Sequence, residues 1–266
     1  MSVAALAVLT QTGWKRWSAY RSAALAGAAT NTVFGLIKAA ITMGAVGAAG
    51  GTLAGYGAIE GATYAWLAQA LIAPVNVFWS NDLVDRIRSG DIAVDLARPV
   101  DPQLAYLSAD LGRAAFSLIP RGAPPLLVGA LVTGLALPGQ LLPYVLGIVS
   151  IVLAVVVSFA CRWLVSLAAF WLIEVRGAAT LYLMTSNILC GLVVPVHWFP
   201  GWMATVAAAT PFPSMMQAPI DVIMGRVRGV DALGVVGVQV AWAVGVLLAG
   251  RLVWTLGTRK LVVQGG

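Results

Sequence analysis

The sequence LLPYVLGIVSIVLAVVVSFACRWLVSLAAF occupies residues 141–170 and is an almost unbroken apolar run. Arg162 is its only charged residue. A helix needs about 20 apolar residues to cross roughly 30 Å of hydrocarbon. At about 1.5 Å of rise per residue, this run is longer than the bilayer is thick. It therefore predicts a transmembrane helix that tilts or projects beyond the bilayer.

The composition of the whole chain is also that of a membrane protein. Of its 266 residues, 60% are apolar and 10% are charged, whereas a soluble domain carries about 25% charged residues. Lipid solvates an apolar surface, so charge is needed only on the two water-facing sides. Soluble enzymes and nucleic-acid-binding domains are therefore disfavoured, and the net charge of +6 is interpreted as a signal of orientation.

Six apolar runs predict six transmembrane helices, which makes the fold class an all-α integral membrane protein. In chain order the runs are Ala23–Val46, Ala58–Trp79, Ala123–Leu137, Leu141–Phe170, Ala178–Val196 and Leu233–Trp254. If the N-terminus lies inside, every Lys and Arg except Lys38, Arg226 and Arg228 belongs to the cytoplasmic side. The positive-inside rule therefore predicts that both termini are cytoplasmic.

Two further segments predict helices that do not cross the membrane. Residues 1–22 interleave Trp14, Trp17 and Tyr20 with basic residues, which suits a helix lying in the cytoplasmic interface; a plain flank with aromatic anchors is the alternative. Residues 196–232 hold two short apolar stretches interrupted by prolines. These predict two short re-entrant helices on the outer side before the last span, and a purely extracellular loop is the alternative. The single histidine, His197, is interpreted as structural or interfacial.

Residues 81–121 form the substantial charged block of the chain. Within it, Leu83, Ile87 and Ile92 alternate with charged residues, which predicts two short amphipathic elements. We interpret the block as a docking surface, with a solvated loop as the alternative. The three apolar side chains would be anchors in a groove of a partner. The charged residues would form a polar rim that sets the register; they are Asp85, Arg86, Arg88, Asp91 and Arg98.

Two opposite charges fall inside the predicted spans. Counting helix rise from the inner ends places Lys38 and Glu60 at similar depth in the outer leaflet. An unpaired charge in lipid costs at least about 2.5 to 3.5 kcal/mol, so we expect the two to pair or to face water. Snorkelling of each toward the outer surface is the alternative. The polar residues Asn31, Gln69 and Asn187 either line a substrate route or hydrogen-bond neighbouring helices.

No catalytic constellation is present in the sequence. None of the lysines has the glycine-rich context of a P-loop, so we expect no ATP site in this chain. Cys161 and Cys190 lie in apolar runs and predict neither a disulfide framework nor, with one histidine, a metal site. The basic residues follow the first apolar stretch instead of preceding it, which argues against a cleaved signal peptide.

Several stretches resemble the permease subunits of ABC exporters of the ABC-2 type, in particular the small six-span branch. They lie after the second and fourth spans, in the outer segment and at the C-terminus, and comprise Ile87–Ile92, Leu96–Pro102, Phe170–Gly177, Pro195–Trp202, Thr210–Pro213, Pro219–Asp221 and Leu261–Gly266. The resemblance covers nearly the full length. It implies a single permease domain over residues 1–266, with an N-terminal elbow helix, a coupling helix within residues 81–121 and two re-entrant outer helices.

The resemblance also implies a division of labour. This chain would form the substrate route with a second permease, either a similar chain or another copy, in a bacterial plasma membrane. A cytoplasmic dimer of ABC ATPase subunits would bind ATP and Mg, and this chain would carry no cofactor. The connection with Glu174 and Arg176 is a second candidate for contact with the ATPase. The alternatives are a proton- or ion-coupled carrier or channel built around Lys38 and Glu60, and a membrane scaffold.

Overall fold

The computed structural model describes residues 3–77, 82–172 and 174–260, and the regular structure in these ranges is helical. The end of the second predicted span at Trp79, the start of the charged block at Asn81 and the C-terminal motif Leu261–Gly266 lie outside the described residues. The helices are α1 (Val3–Ser18), α2 (Arg21–Ala48), α3 (Ala58–Val75), α4 (Asp82–Ser89), α5 (Ile92–Leu96), α6 (Pro102–Ser117), α7 (Ala123–Val132), α8 (Leu142–Ser166), α9 (Arg176–Leu189), α10 (Gly201–Ala208), α11 (Gln217–Ile223) and α12 (Gly229–Thr258).

Among the described residues, four helices are long and apolar enough to cross a membrane. They are Arg21–Ala48, Pro102–Val132, Leu142–Phe170 and Gly229–Thr258. The first, third and fourth of these confirm the first, fourth and sixth predicted spans. On α12, large apolar side chains are exposed along the whole length, as a lipid-facing helix requires; examples are Val230, Leu233, Val244, Leu248, Leu252 and Leu256.

The third span differs from the predicted Ala123–Leu137. One continuous helix runs through α6, a π-helical turn at Leu118–Gly122 and α7. It begins at a cap in which the Asp101 carboxylate accepts a hydrogen bond from the Leu104 N–H at 3.0 Å, with a proline in the first turn. Much of the block predicted as a cytoplasmic loop, residues 81–121, therefore belongs to this helix.

The helix continues through this block because its charges are paired locally. Arg113 Nε lies 2.6 Å from Asp110 Oδ1, and the same guanidinium donates to the carbonyl oxygens of Ala73 and Pro74 at 2.6 and 2.8 Å. Asp110 also accepts from Arg162 of α8 at 2.9 Å. Buried charges are tolerated when they are paired and hydrogen-bonded, so a basic residue here does not mark the end of a span.

The second and fifth spans remain predictions, because α3 has 18 residues and α9 has 14 and neither is among the four helices above. The helix α3 lies at the centre of the bundle. Tyr64, Trp66 and Gln69, which point in different directions around the helix, are all buried. Neighbouring helices therefore cover much of the surface of α3, as expected for a helix in the core of a bundle.

The N-terminal helix α1 packs directly against the backbone of α6. A Cβ atom on Gly13 would overlap the Ala109 carbonyl group, and a Cβ atom on Gly112 would overlap the Thr10 carbonyl oxygen. Small residues allow such close helix packing. As a result, α1 is fixed to the third span as a helix separate from α2.

Two short helices precede the last span. They are α10 and α11, and a turn with Pro211 and Pro213 separates them. The second of these, α11, packs against α8 and buries Ile220, Asp221 and Val222. Since neither helix exceeds eight residues, neither is long enough to cross a bilayer.

Candidate functional site

The helix pair α4–α5 is held to the bundle by its apolar face. Leu83, Ile87 and Ile92 are 5%, 7% and 0% exposed and pack in one cluster with Phe159 and Trp163 of α8. These three residues were predicted to anchor a partner protein, but in the structure they pack against α8. An amphipathic helix turns its apolar face to whatever covers it, and here α8 covers it.

A different part of α5 is available to a partner. Val94 and Leu96 are 53% and 42% exposed. The predicted rim residues Asp85, Arg88, Asp91 and Arg98 are also exposed around them. We define residues 91–98 as the α5 tip. It presents an apolar centre with a charged border, the usual layout of a protein–protein contact.

Ion pairs fix the conformation of the α5 tip. Arg86 Nε lies 2.8 Å from Asp95 Oδ2, and its Nη2 donates to the Asp91 carbonyl oxygen at 3.2 Å. The Tyr106 hydroxyl of α6 donates to the same Asp95 carboxylate at 3.1 Å, and Arg98 Nη1 lies 3.7 Å from its other oxygen. The hydrogen bond to Asp95 raises the pKa of Arg86 further above its usual value. The tip is thus tied to both α4 and α6.

The second predicted coupling element, around Glu174 and Arg176, meets the first one. Arg88 of α4 lies 3.4 Å from Glu174 Oε1, and the same oxygen accepts the Arg176 N–H at 3.1 Å. This N–H and the nearby guanidinium lower the pKa of Glu174. An open groove of about 540 Å³ lies beside the pair, and the exposed Trp171 and Leu172 line it. The two loops therefore form one continuous surface.

Lys38 and Glu60 do not pair. Lys38 Nζ donates to the Leu192 carbonyl oxygen at 2.8 Å, and the ion pairs of the described residues do not include these two side chains. Glu60 lies in the first turn of α3. The connection after Ala48 aligns the adjacent ends of α2 and α3, so Lys38 is about 15 Å deep from that end and Glu60 only about 3 Å. The expectation of similar depth came from counting helix rise from the opposite ends of the two helices.

The three polar residues predicted to line a route have different surroundings. Asn31 Nδ2 donates to the backbone carbonyl oxygens of Gln69 and Arg121 at 3.3 and 3.4 Å, which favours the helix-packing alternative for Asn31. The Gln69 side chain is buried within the bundle. On α9, Asn187 Oδ1 is buried and has no hydrogen-bond partner in the part of the chain that the structure describes.

At the opposite end of the bundle, a buried carboxylate organises a polar cluster. Asp221 of α11 is 8% exposed. Its Oδ2 lies 2.8 Å from His197 Nε2, and its Oδ1 accepts from Gln217 Nε2 at 2.9 Å. Arg226 Nε lies 3.6 Å from Oδ1. Two basic side chains and one amide thus surround this carboxylate.

The cluster extends to the connection between α2 and α3. The Arg226 guanidinium lies 3.6 Å above the centre of the Tyr56 ring, a cation–π contact, and donates to the carbonyl oxygens of Gly55 and Ala54 at 3.1 and 3.3 Å. Burial, together with the nearby Asp221 carboxylate, raises the pKa of Tyr56. The phenol therefore stays neutral at physiological pH.

Gln217 connects the cluster to α3 and to the segment after α9. Its Oε1 accepts the Val196 N–H at 2.8 Å. The Tyr64 hydroxyl lies 2.8 Å from both this oxygen and the Gly191 carbonyl oxygen and donates its proton to one of them. We call the set Tyr56, Tyr64, His197, Gln217, Asp221 and Arg226 the outer cluster.

Comparison with known proteins assigns the chain to a family. A family model described as "ABC-2 family transporter protein" matches residues 36–265. The chain belongs to this family. As an ABC-2 type permease it is a membrane transport component, and membership implies association with ABC ATPases in general. No curated protein and no solved structure matches the chain.

The outer cluster of this ABC-2 permease was not predicted from the sequence. His197 was interpreted as structural or interfacial, and no role was predicted for Gln217 and Asp221. One signal was available in the spacing, because these two polar residues lie four apart on a short apolar helix and therefore share one face. Tyr56 comes from a distant part of the chain, and only the fold brings it to Asp221 and Arg226.

Proposed function

We propose that this chain is the permease subunit of an ATP-driven ABC exporter with six membrane spans. In this arrangement α3 and α9 are the second and fifth spans, in addition to the four long helices. The helix α1 is the interfacial elbow, and α10 and α11 are the re-entrant outer helices. The α4–α5 end and both termini face the cytoplasm of a bacterial cell. The central position of α3 supports a second span, since a helix buried on all sides in a membrane bundle needs neighbours that cross beside it.

Coupling to the ATPase is assigned to the α5 tip together with the Trp171–Arg176 connection. The observation that carries this proposal is the division of the apolar residues of α4–α5. Ile87 and Ile92 are buried against α8, while Val94 and Leu96 point outward. A push on the exposed tip is therefore transmitted through a packed contact to a transmembrane helix, which is how a local change becomes a rigid-body shift.

The complex contains a second permease, either a similar chain or another copy, and a dimer of ABC ATPases that holds ATP and Mg. The substrate route runs between the two permeases. Few fixed charges face the apolar helices in the described residues, so this route suits lipids or amphipathic small molecules.

The test compares an exposed apolar residue of the coupling region with an exposed residue at the opposite end of the bundle. Val94→Asp should leave the permease folded but lower co-purification with the ATPase at least tenfold and abolish substrate stimulation of ATP hydrolysis, because an anchor of the contact becomes charged. Thr52→Asp, in the exposed connection between α2 and α3 at the far end of the bundle, is the control and should leave both properties unchanged. Normal co-purification and normal stimulation in Val94→Asp would overturn the assignment of the tip.

A second experiment separates the exporter from a carrier built around Lys38 and Glu60. The complete complex in vesicles should transport only with ATP, and a P-loop lysine variant of the ATPase should abolish transport. Transport driven by a proton gradient without the ATPase would contradict the exporter proposal.

A further inference from the structure

A small depression lies where α1, α2 and the π-helical turn of the third span meet. Its volume is about 110 Å³, which is room for about three or four water molecules or for one phosphate group. The lining residues are Trp17, Tyr20, Ala23, Ala24, Phe116, Ser117, Pro120 and Arg121. Among these described residues the only charged side chain is that of Arg121, and no carboxylate opposes it.

The Arg121 guanidinium is held in a defined place. Its Nη2 donates to the Ala23 carbonyl oxygen in the first turn of α2 at 3.2 Å. A Cβ atom on Gly27, one turn further along α2, would overlap the guanidinium. The glycine therefore leaves the space in which the guanidinium lies. The π-helical turn that carries Arg121 is a feature that often occurs at functional sites.

The N-terminus of α2 faces the same depression. Tyr20 precedes the helix and provides no side-chain cap, and the first turn contains no acidic residue. The 28-residue helix α2 therefore begins with N–H groups that no side chain caps, and the positive end of its dipole lies at the same place. A helix N-terminus and a guanidinium at one place both favour an anionic group.

The surroundings place the depression at the border between polar and apolar surface. The side chains of Trp17 and Tyr20 are exposed beside it, and aromatic residues of this kind sit at the headgroup level of a bilayer. Further along the same helices, the exposed residues are apolar, as at Leu25 and Ile119. A ligand in the depression would thus have its polar group at the headgroup level and apolar surface next to it.

We infer that this depression binds the phosphate group of an anionic phospholipid. Basic pockets between transmembrane helices on the cytoplasmic side are suited to such headgroups. The acyl chains would lie along the apolar surface near Leu25 and Ile119. The inference rests on the membrane orientation given above, but it does not depend on coupling to an ATPase.

The test measures lipid retention by the purified full-length chain in mild detergent, using native mass spectrometry with added phosphatidylglycerol or phosphatidylcholine. Wild type should retain phosphatidylglycerol in preference to phosphatidylcholine. Arg121→Gln should lower phosphatidylglycerol retention about fivefold, the effect of one basic residue near an anionic lipid surface. Arg259→Gln removes the same charge from the same end of the bundle outside the depression, and it should change retention little.

Gly27→Ala is the second variant, because it displaces the guanidinium without altering the net charge. It should also lower phosphatidylglycerol retention, and it keeps the inference testable if Arg121→Gln does not fold. Unchanged retention in both variants, equal loss in the Arg259→Gln control, or equal retention of phosphatidylcholine would overturn the inference. Displacement of the lipid by millimolar inorganic phosphate would assign the site to free phosphate and would overturn the lipid assignment.

Discussion

The two ends of the bundle hold their polar residues in opposite ways. In the outer cluster, Asp221 is buried and contacts His197, Gln217 and Arg226, which come from two segments of the chain. At the α4–α5 end, Asp95 is also buried and contacts Arg86, but the pair of Arg88 and Glu174 is exposed and the α5 tip is available. Buried contacts hold the outer cluster together, whereas the α4–α5 end is packed at its base and exposed at its tip.

This difference has an energetic consequence. A charge in a dry environment interacts strongly with its partners and is costly when it loses them. An exposed ion pair contributes little, and salt screens it further. Substitutions in the outer cluster should therefore affect folding, whereas substitutions on the exposed surface of the α4–α5 end should affect contacts with other chains.

The largest effect is expected for Asp221→Asn. The substitution preserves the size of the side chain but removes the buried counter-charge of Arg226, so it should lower the free energy of unfolding by about 3 kcal/mol. Thermal unfolding of the purified protein in detergent is the measurement. Asp231→Asn, an exposed carboxylate at the start of α12, is the control and should unfold like wild type. If both variants unfold like wild type, the outer cluster does not stabilise this end.

An intermediate effect is expected at the base of the α4–α5 pair. Ile92→Ala removes a fully buried side chain next to Phe159 and Trp163, and it should cost about 2 to 4 kcal/mol because a cavity remains. Val94→Ala, two residues away and exposed, should cost less than about 0.5 kcal/mol. The same unfolding measurement compares the two. Equal losses would mean that the tip is also packed and that the contrast between base and tip does not exist.

Much of the helical architecture could be predicted from local sequence. The spans at α2, α8 and α12 follow from length and hydropathy, which depend on neighbouring residues only. The third span was misplaced because Arg113 is neutralised by Asp110 and by the carbonyl groups at the end of α3. The pair of Asp110 and Arg113 is local, but the contacts with the α3 carbonyl groups and with Arg162 are tertiary, and no window along the chain reports them.

The candidate sites were harder to predict for the same reason. The amphipathic pattern of Leu83, Ile87 and Ile92 correctly indicates that one face is covered, but the pattern is the same whether α8 or a partner covers it. The match in depth between Lys38 and Glu60 depended on where α3 ends, and helix ends are the least certain part of a sequence prediction. In both cases the residue types indicated that a contact exists, but the sequence did not indicate the contact partner.

The smallest effect is expected for the exposed pair of Arg88 and Glu174, and it sharpens the contrast with Asp221. Glu174→Gln should leave thermal unfolding unchanged but raise hydrogen exchange of the α4 amides about two- to threefold at low salt, because α4 loses a tie to the next connection. At high salt the difference from wild type should disappear.

The same pair has a predictable pH dependence. The lowered pKa of Glu174 means that its carboxylate stays ionised through neutral and mildly acidic conditions, so the tie is present above the usual glutamate pKa. It is lost only as the pH falls through the lowered pKa, below the usual glutamate range. The difference in exchange between wild type and Glu174→Gln, corrected for intrinsic rates, should therefore be equal at pH 7 and pH 5.5. A difference that persists at high salt, or that vanishes by pH 5.5, would show that Glu174 acts in a drier environment, closer to that of Asp221.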